Sequence, residues 1–486
     1  MPPSPSLGRG AVKGGGLVAV FDIGKTNKKF AVYGRDLKVV GSETVRIGEK
    51  TVGGILCDDA ETLVAWVRAK LAEWRGKLSA VAVTTHGATL ALLDAEGNLA
   101  MPVVSYNHEV GEEVKRAFFE EFGSPEELYE RTGTPPLGQL LNAGIQLFWI
   151  RREFPERYAR ARRVLFLPQY VVYSFSKLEA AEVTSLGCHT YLWDLVKGGW
   201  SSVAEGLEVP PRSPGVRSVW ERLGEVDGVV VTPGIHDSNA ALLPYLVRER
   251  GGFVLASTGT WCVLMYPGAP FSPSREDVYR DVLYYVDAYG RPVKAARFKC
   301  GHEFEHYVGL LRSAFGGDPL ALGLDRRLAA EVLKEGEAFF VPTLTPGTGQ
   351  FPRSRGRVVG RLPDLARAYY YLNLSLAVQT WYALKLLTGG GRVRVYVQGG
   401  FAKNDVYLAY LATLARWAEV IKGEYPEATS LGAALTALAA LEGCEPRQLG
   451  TELPTIGGER VEPLDVDDAY VEEYARRFLS LCEAGT

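Results

Sequence analysis

Paired cysteines are missing from this chain. Its six cysteines, Cys57, Cys188, Cys262, Cys300, Cys444 and Cys482, are scattered and form no Cys-x-x-Cys motif. That spacing excludes a disulfide framework and a cysteine-based zinc site, and it is the pattern of reduced thiols in a cytoplasmic protein. A surplus of one charge is missing too, the formal net charge being −3. A broad electrostatic grip on nucleic acid or on an anionic membrane is therefore excluded, while a small basic pocket is not. Long apolar runs are also absent. The longest, residues 431–441, falls far short of the ~20 residues of a membrane span. The run at residues 17–21 is too short for the core of a signal peptide. Residues 1–16, rich in Pro, Ser and Gly, read as a disordered leader.

What is present is an ordinary globular composition, with 47% hydrophobic and 23% charged residues in 486. At ~150 residues per domain, this length makes about three domains or two large ones. It buries sizeable cores without disulfides or metals.

The stretch "FDIGKTN", residues 21–27, looks at first like the end of a nucleotide-binding P-loop. A P-loop has Gly-x-x-x-x-Gly-Lys-[Ser/Thr] between a strand and a helix. Its first glycine would fall at residue 19, which is Ala19. The residues that follow, Lys28 to Tyr33, read as a strand and not a helix. The segment is thus strand–turn–strand. An ordinary hairpin turn uses the same residue types. A second glycine-threonine turn answers it in "GFVLASTGTWCVLMY", residues 252–266. Two such hairpins, one per half, form an internal repeat. Each offers a concave group of backbone N–H donors of the kind that binds anions. Two of them across a cleft would clamp a polyphosphate.

Strands at residues 17–21, 29–33 and 37–40 precede a helix marked by Leu63, Val64, Val67 and Leu71. "SPEELYERTG" and "NAGIQLFWIRREFPERY" read as helices with Ser124 and Asn142 as N-caps. The second half closes with "VRVYVQGGFAKND" and the apolar helix "EATSLGAALTALAAL". Alternating strands and helices with internal duplication give an α/β fold in two lobes, divided near residues 242–251.

Motifs in chain order resemble the FGGY carbohydrate kinases: "FDIGKTN", "EVTSLGCHTYLWDLVKGGW", "PGIHDSNAA", "STGTWCVL", "FFVPTLTPGTGQFP", "YVQGGFAKND" and "PEATSLGAAL". "GKTN" and "GTW" are most similar to the L-fuculokinase and L-rhamnulokinase branch. The resemblance implies two ribonuclease-H-like (actin/hexokinase-type) domains around a central cleft, residues 17–246 and 247–486. It implies ATP and Mg²⁺ as cofactors, a small sugar as substrate, and transfer to the 1-hydroxyl of a 6-deoxy-ketohexose. A homodimer is compatible with it; nucleic acid and membrane partners are not expected.

Asp237 is the implied base. A helix N-cap would also explain it, and the helix dipole would hold its carboxylate ionised. Asp22 and Asp237 are implied to hold Mg²⁺ through water, the manner in which that ion usually binds. Asp22, Gly24, Lys25, Thr26 and Asn27 form the first phosphate motif, with Lys25 either reaching the γ-phosphate or extending into solvent. Thr258, Gly259 and Thr260 form the second. Gly399, Gly400, Phe401 and Asn404 are implied to line the adenosine pocket, glycine letting backbone approach the ligand. His86, Gly87, Tyr106, Asn107 and His236 are the implied sugar contacts. "SYNHE", residues 105–109, departs from the family's Trp-Asn-Asp loop, with Tyr106 for Trp and His108 for Asp and no following Arg. That departure leaves a pentulose, a tetrulose or a polyol open as substrate. A reading of another class is a nucleotide-binding sensor of the actin superfamily without transfer activity.

Overall fold

The computed structural model describes residues 16–423, 425, 427–454 and 458–484. The expected leader, Gly16 apart, lies outside the described residues. The first strand, Leu17–Ile23, has Val18, Ala19, Val20 and Phe21 fully buried. Continuous burial is what a strand covered on both faces requires. It pairs antiparallel with Asn27–Tyr33, which pairs antiparallel with Val39–Arg46. The third strand therefore starts two residues later than its apolar run predicts and continues through polar residues as an exposed edge. On the other side, Leu17–Ile23 runs parallel to Leu78–Thr85. That strand runs parallel to Val229–Val231 and, further along, to Ile235–His236.

The second half repeats the plan. Phe253–Thr258 pairs antiparallel with Cys262–Pro267, and that strand with Pro292–Phe298. On its other side Phe253–Thr258 runs parallel to Val393–Gly399, itself parallel to Ala418–Lys422. Each half thus has three antiparallel strands followed by parallel strands reached through helices, and the second half adds Val282–Val286 antiparallel to Pro292–Phe298. The α/β expectation of two ribonuclease-H-like units holds.

The predicted helix with Leu63 and Val67 inward is Ala60–Glu73, started by Asp59, whose side chain accepts from Thr62 N. Pro125–Thr132 opens with the full Ser124–Glu127 capping box. Asn142 precedes helix Ala143–Glu153 but makes no capping bond. Its amide holds Leu137 N, Pro135 O and His189 O instead. That helix ends before Pro155, which begins a separate one, Pro155–Arg160.

The helices that end the two repeats, Asp237–Arg248 and Ala428–Glu442, cross between the sheets. At the crossing, a Cβ added to Gly432 would stand 1.8 Å from Ala240 O. Both helices share one core with Val18, Val20, Phe253 and Leu255. The six cysteines are all unpaired and five are buried. Among the described residues, no helix is long and apolar enough to cross a membrane.

Candidate active site

Strand register brings the predicted residues of the first half to one edge. Asp22 lies beside Thr84, and Thr84 beside Ile235. The chain therefore leaves three adjacent strands together, as the Gly24 turn, as His86-Gly87 and as Asp237. In the second half, Thr258 lies beside Gly399. The Gly259–Trp261 turn and the Gly400–Asn404 segment leave that edge together. Ligands of open α/β sheets bind outside such carboxyl ends.

Asp237 is the first residue of its helix, with His236 at the N-cap. Every described contact of its carboxylate ends on one oxygen. Oδ1 accepts from Ser238 N at 2.6 Å and Ser238 Oγ at 3.3 Å, and lies 3.2 Å from His236 Nε2. Asn239 Nδ2 lies 3.3 Å from His236 Nδ1. An amide NH₂ only donates, so Nδ1 is the acceptor and Nε2 carries the proton, with Cys188 Sγ 3.5 Å away. Burial pushes the His236 pKa down to about 4, so the ring is neutral at pH 7. Oδ2 of Asp237 has no partner among the described residues. Burial raises the Asp237 pKa, against the opposing pull of His86 and the Ser238 hydrogen bonds. The side chain keeps 32% of its exposure.

Gly87 makes room for His236. An added Cβ would lie 2.9 Å from His236 Nε2. His86 is buried, with its pKa lowered by that burial, and its ring meets the edge of Tyr106 at 5.4 Å. Asn107 is turned away from this group, its Nδ2 lying 3.2 Å from Glu49 Oε1. His108, in the place of the family's aspartate, accepts from Leu56 N and packs on Trp149. His189, which the sequence did not single out, is buried beside this group. Its pKa falls to about 3 through desolvation first and the Arg297 charge second.

Asp22 accepts from Ser430 Oγ at 2.9 Å, across the boundary between the repeats. Burial, aided by the Asp237 charge, pushes its pKa up to about 6. Thr26 and Asn27 are exposed at the turn. Gly24 is tight, a Cβ there lying 3.1 Å from Asn27 O. Lys25 takes neither of its expected courses. Its ammonium lies 2.7 Å from Asp58 Oδ1 and 2.9 Å from Glu49 Oε1, with only 17% of its side chain exposed. Two carboxylates from the neighbouring hairpin hold it in place.

In the second half Thr258 also differs from expectation. Its hydroxyl is buried, donates to Gln398 O at 2.5 Å and accepts from Phe401 N at 3.0 Å. It fastens the two turns instead of facing outward. Gly399 has φ +84°, and a Cβ there would lie 2.0 Å from Thr258 O. Gly259, Thr260, Gly400, Phe401 and Asn404 do come together, on a cavity of about 640 Å³. Phe304, Leu322 and Tyr369 form its apolar wall. Next to the turn, Arg297 and Lys299 lie 4.6 Å and 5.2 Å from the Trp261 ring. These flanking residues come from segments whose own patterns mark only core strands and helices.

A family model for the N-terminal domain of the FGGY family of carbohydrate kinases matches residues 17–227. One for the FGGY carbohydrate kinase C-terminal domain matches residues 250–446. A carbohydrate kinase from Novosphingobium aromaticivorans superposes with a TM-score of 0.82 at 30% identity, covering 97% of this chain and 99% of its own. A xylulose kinase from Rhodospirillum rubrum shares the fold, with a TM-score of 0.78 at 19% identity over 96% of this chain and 98% of its own. A rhamnulokinase from Halalkalibacterium halodurans is 23% identical over 259 residues, 50% of this chain. This chain spans about half of that relative's length, 54%. With both halves matched in order by family models and a full-length relative at 30% identity, the chain belongs to the FGGY family of carbohydrate kinases.

Proposed function

We propose that this chain transfers the γ-phosphoryl group of ATP to a sugar hydroxyl, with Asp237 as general base. One observation carries the reading. Asp237 stands at a helix N-terminus on the shared strand edge, with Oδ1 held by the two Ser238 donors and Oδ2 unclaimed. Oδ2 accepts the hydroxyl proton as the sugar oxygen bonds to phosphorus and the bond from phosphorus to the ADP oxygen breaks. The Ser238 bonds keep the carboxylate oriented, with neutral His236 beside it. The remaining work is positioning and charge neutralisation, as phosphoryl transfer requires. An unclaimed carboxylate oxygen here speaks against a sensor without transfer activity.

The lobe of residues 17–246 would hold the sugar, the first turn and the base. The lobe of residues 247–486 would hold the nucleotide, its base against Phe304, Tyr369 and Phe401. Asp22 and Asp237 fit a Mg²⁺ ion held through water. They are neighbouring carboxylates; burial raises both pKa values, and the Asp237 charge adds to the rise at Asp22. Such an ion supplies positive charge to the phosphate oxygens. Six unpaired cysteines agree with a cytoplasmic enzyme.

For the acceptor we favour the 1-hydroxyl of a 6-deoxy-ketohexose, L-rhamnulose or L-fuculose, on the turn motifs and the partial match to a rhamnulokinase. A pentulose, tetrulose or polyol is the second reading. It is favoured by the 105–109 loop, where His108 packs inward and no side chain replaces the family's aspartate. ADP release measured over a panel of ketoses and polyols, with Asp237→Asn in parallel, tests both. Stimulation by no sugar refutes the kinase; full activity in Asp237→Asn refutes the base.

A further inference from the structure

Lys25 has no donor to spare. A lysine ammonium carries three N–H donors and no acceptor. Here they meet Asp58 Oδ1 at 2.7 Å, Ser105 Oγ at 2.8 Å and Glu49 Oε1 at 2.9 Å. A phosphate oxygen could take one only by breaking a partly buried ion pair or the Ser105 bond. The charge is spoken for as well. Lys28, buried below the turn, gives its ammonium to Lys25 O at 2.7 Å. Two lysines thus face two carboxylates in a cluster with no net charge to offer.

The partners of Lys25 belong to the sugar side. Glu49 and Asp58 stand at opposite ends of one hairpin, Glu49–Val52 and Ile55–Asp58, and face each other in register. Ser105 begins the loop that carries Tyr106 and Asn107. Its hydroxyl donates to Glu49 and accepts from Asn107 N, while Asn107 Nδ2 bonds the same Glu49 carboxylate. The Lys25 ammonium also lies 4.4 Å from the centre of the Tyr106 ring, whose edge partner is His86.

We infer that Lys25 is a positioning residue for the sugar, fixing the 105–107 loop and the Tyr106 ring, and is not a phosphate ligand. This deepens the kinase reading and rests on it. It also ties the phosphate turn mechanically to the sugar loop. Binding at the first turn and order in the loop share one side chain.

The test is Lys25→Met, which keeps the stem and removes the charge, beside the milder Ser105→Ala. Steady-state constants are measured for both substrates, and hydrogen exchange is followed in residues 103–109. The sugar KM should rise by roughly tenfold or more in Lys25→Met while the ATP KM stays within about twofold, the signature of a lost sugar contact. Exchange at 103–109 should quicken in both variants. A raised ATP KM with an unchanged sugar KM, and unaltered exchange at 103–109, would overturn the inference. If the wild-type protein turns over no sugar, the kinase reading fails on its own account. Exchange then decides Lys25 separately: quickened, the strut stands; unchanged, it falls. Should Lys25→Met not fold, Ser105→Ala carries the same readouts.

Discussion

The two glycine turns occupy equivalent places in equivalent sheets, yet they are held by opposite means. The first, after Leu17–Ile23, is held by side-chain charge, Lys25 reaching out to Glu49 and Asp58. The second, after Phe253–Thr258, is held by one neutral hydroxyl and by close backbone packing. Thr258 is pinned between Gln398 O and Phe401 N. Gly399 and Gly301 press against it, with added Cβ atoms 2.0 Å from Thr258 O and 2.1 Å from Gly259 O. Duplication copied the position and not the fastening. The charge-held turn can be retuned by exchanging one side chain. The backbone-held turn admits almost no substitution, and its cations, Arg297 and Lys299, come from a neighbouring strand and the residue after it.

That contrast breaks most readily at Gly399. Gly399→Ala combines a positive φ with a backbone clash, and should cost about 3 kcal/mol or more in urea unfolding. It should also abolish nucleotide binding. Gly24→Ala, the matching change in the first turn, meets one atom at 3.1 Å and should cost under about 1 kcal/mol.

Asp22 gives the next effect, through pH. Its folded pKa of about 6 lies above the ordinary aspartate value of 3.8, so the folded state binds the proton more tightly. Stability contributed by this group is complete below pH ~3.8, falls as pH rises, and is lost by pH ~6. Asp22→Asn does not titrate there. Its stability relative to wild type, in metal-free protein, should improve by about 2–3 kcal/mol between pH 3.5 and pH 7. Parallel denaturation curves for the two proteins check this, and a constant difference would refute it. The catalytic counterpart is an expected acid limb in kcat/KM above the usual carboxylate range, because the proposed base, Asp237, would have to be ionised and its pKa is raised.

A slightly smaller effect belongs to Thr258→Val, which keeps the shape and strands Phe401 N. About 1–3 kcal/mol should be lost, the cost of an unsatisfied buried donor. The ATP KM should rise while the sugar KM holds. Equal changes in both would mean that the second turn is not specific to one substrate.

The fold was legible because its signals are local. A run such as "LVAVFDIG" carries strand and turn together, and its echo at "VLASTGT" reveals the duplication. The joining of Gly259 and Thr260 with Gly400, Phe401 and Asn404 was implied only by the family resemblance, because the parallel pairing of Thr258 with Gly399 spans about 140 residues. The partners of Lys25 were not legible, being 33 and 80 residues away in sequence. The direction of the Thr258 hydroxyl was hidden likewise, since its partners lie more than 100 residues on. Asn142 shows the limit of a local rule. It is a favoured capping residue at the right place, but longer-range backbone groups claim its amide.

The contact at Gly432 has a mechanical meaning. Two helices that touch backbone to backbone at one point, with no side chain between them there, would serve as an axle if the lobes turned. That axle passes one turn from Asp237, at the root of the cleft. A rotation of one lobe about it gives the base almost no lever arm and the rim residues a long one. The proton acceptor would hold its place while the walls swing.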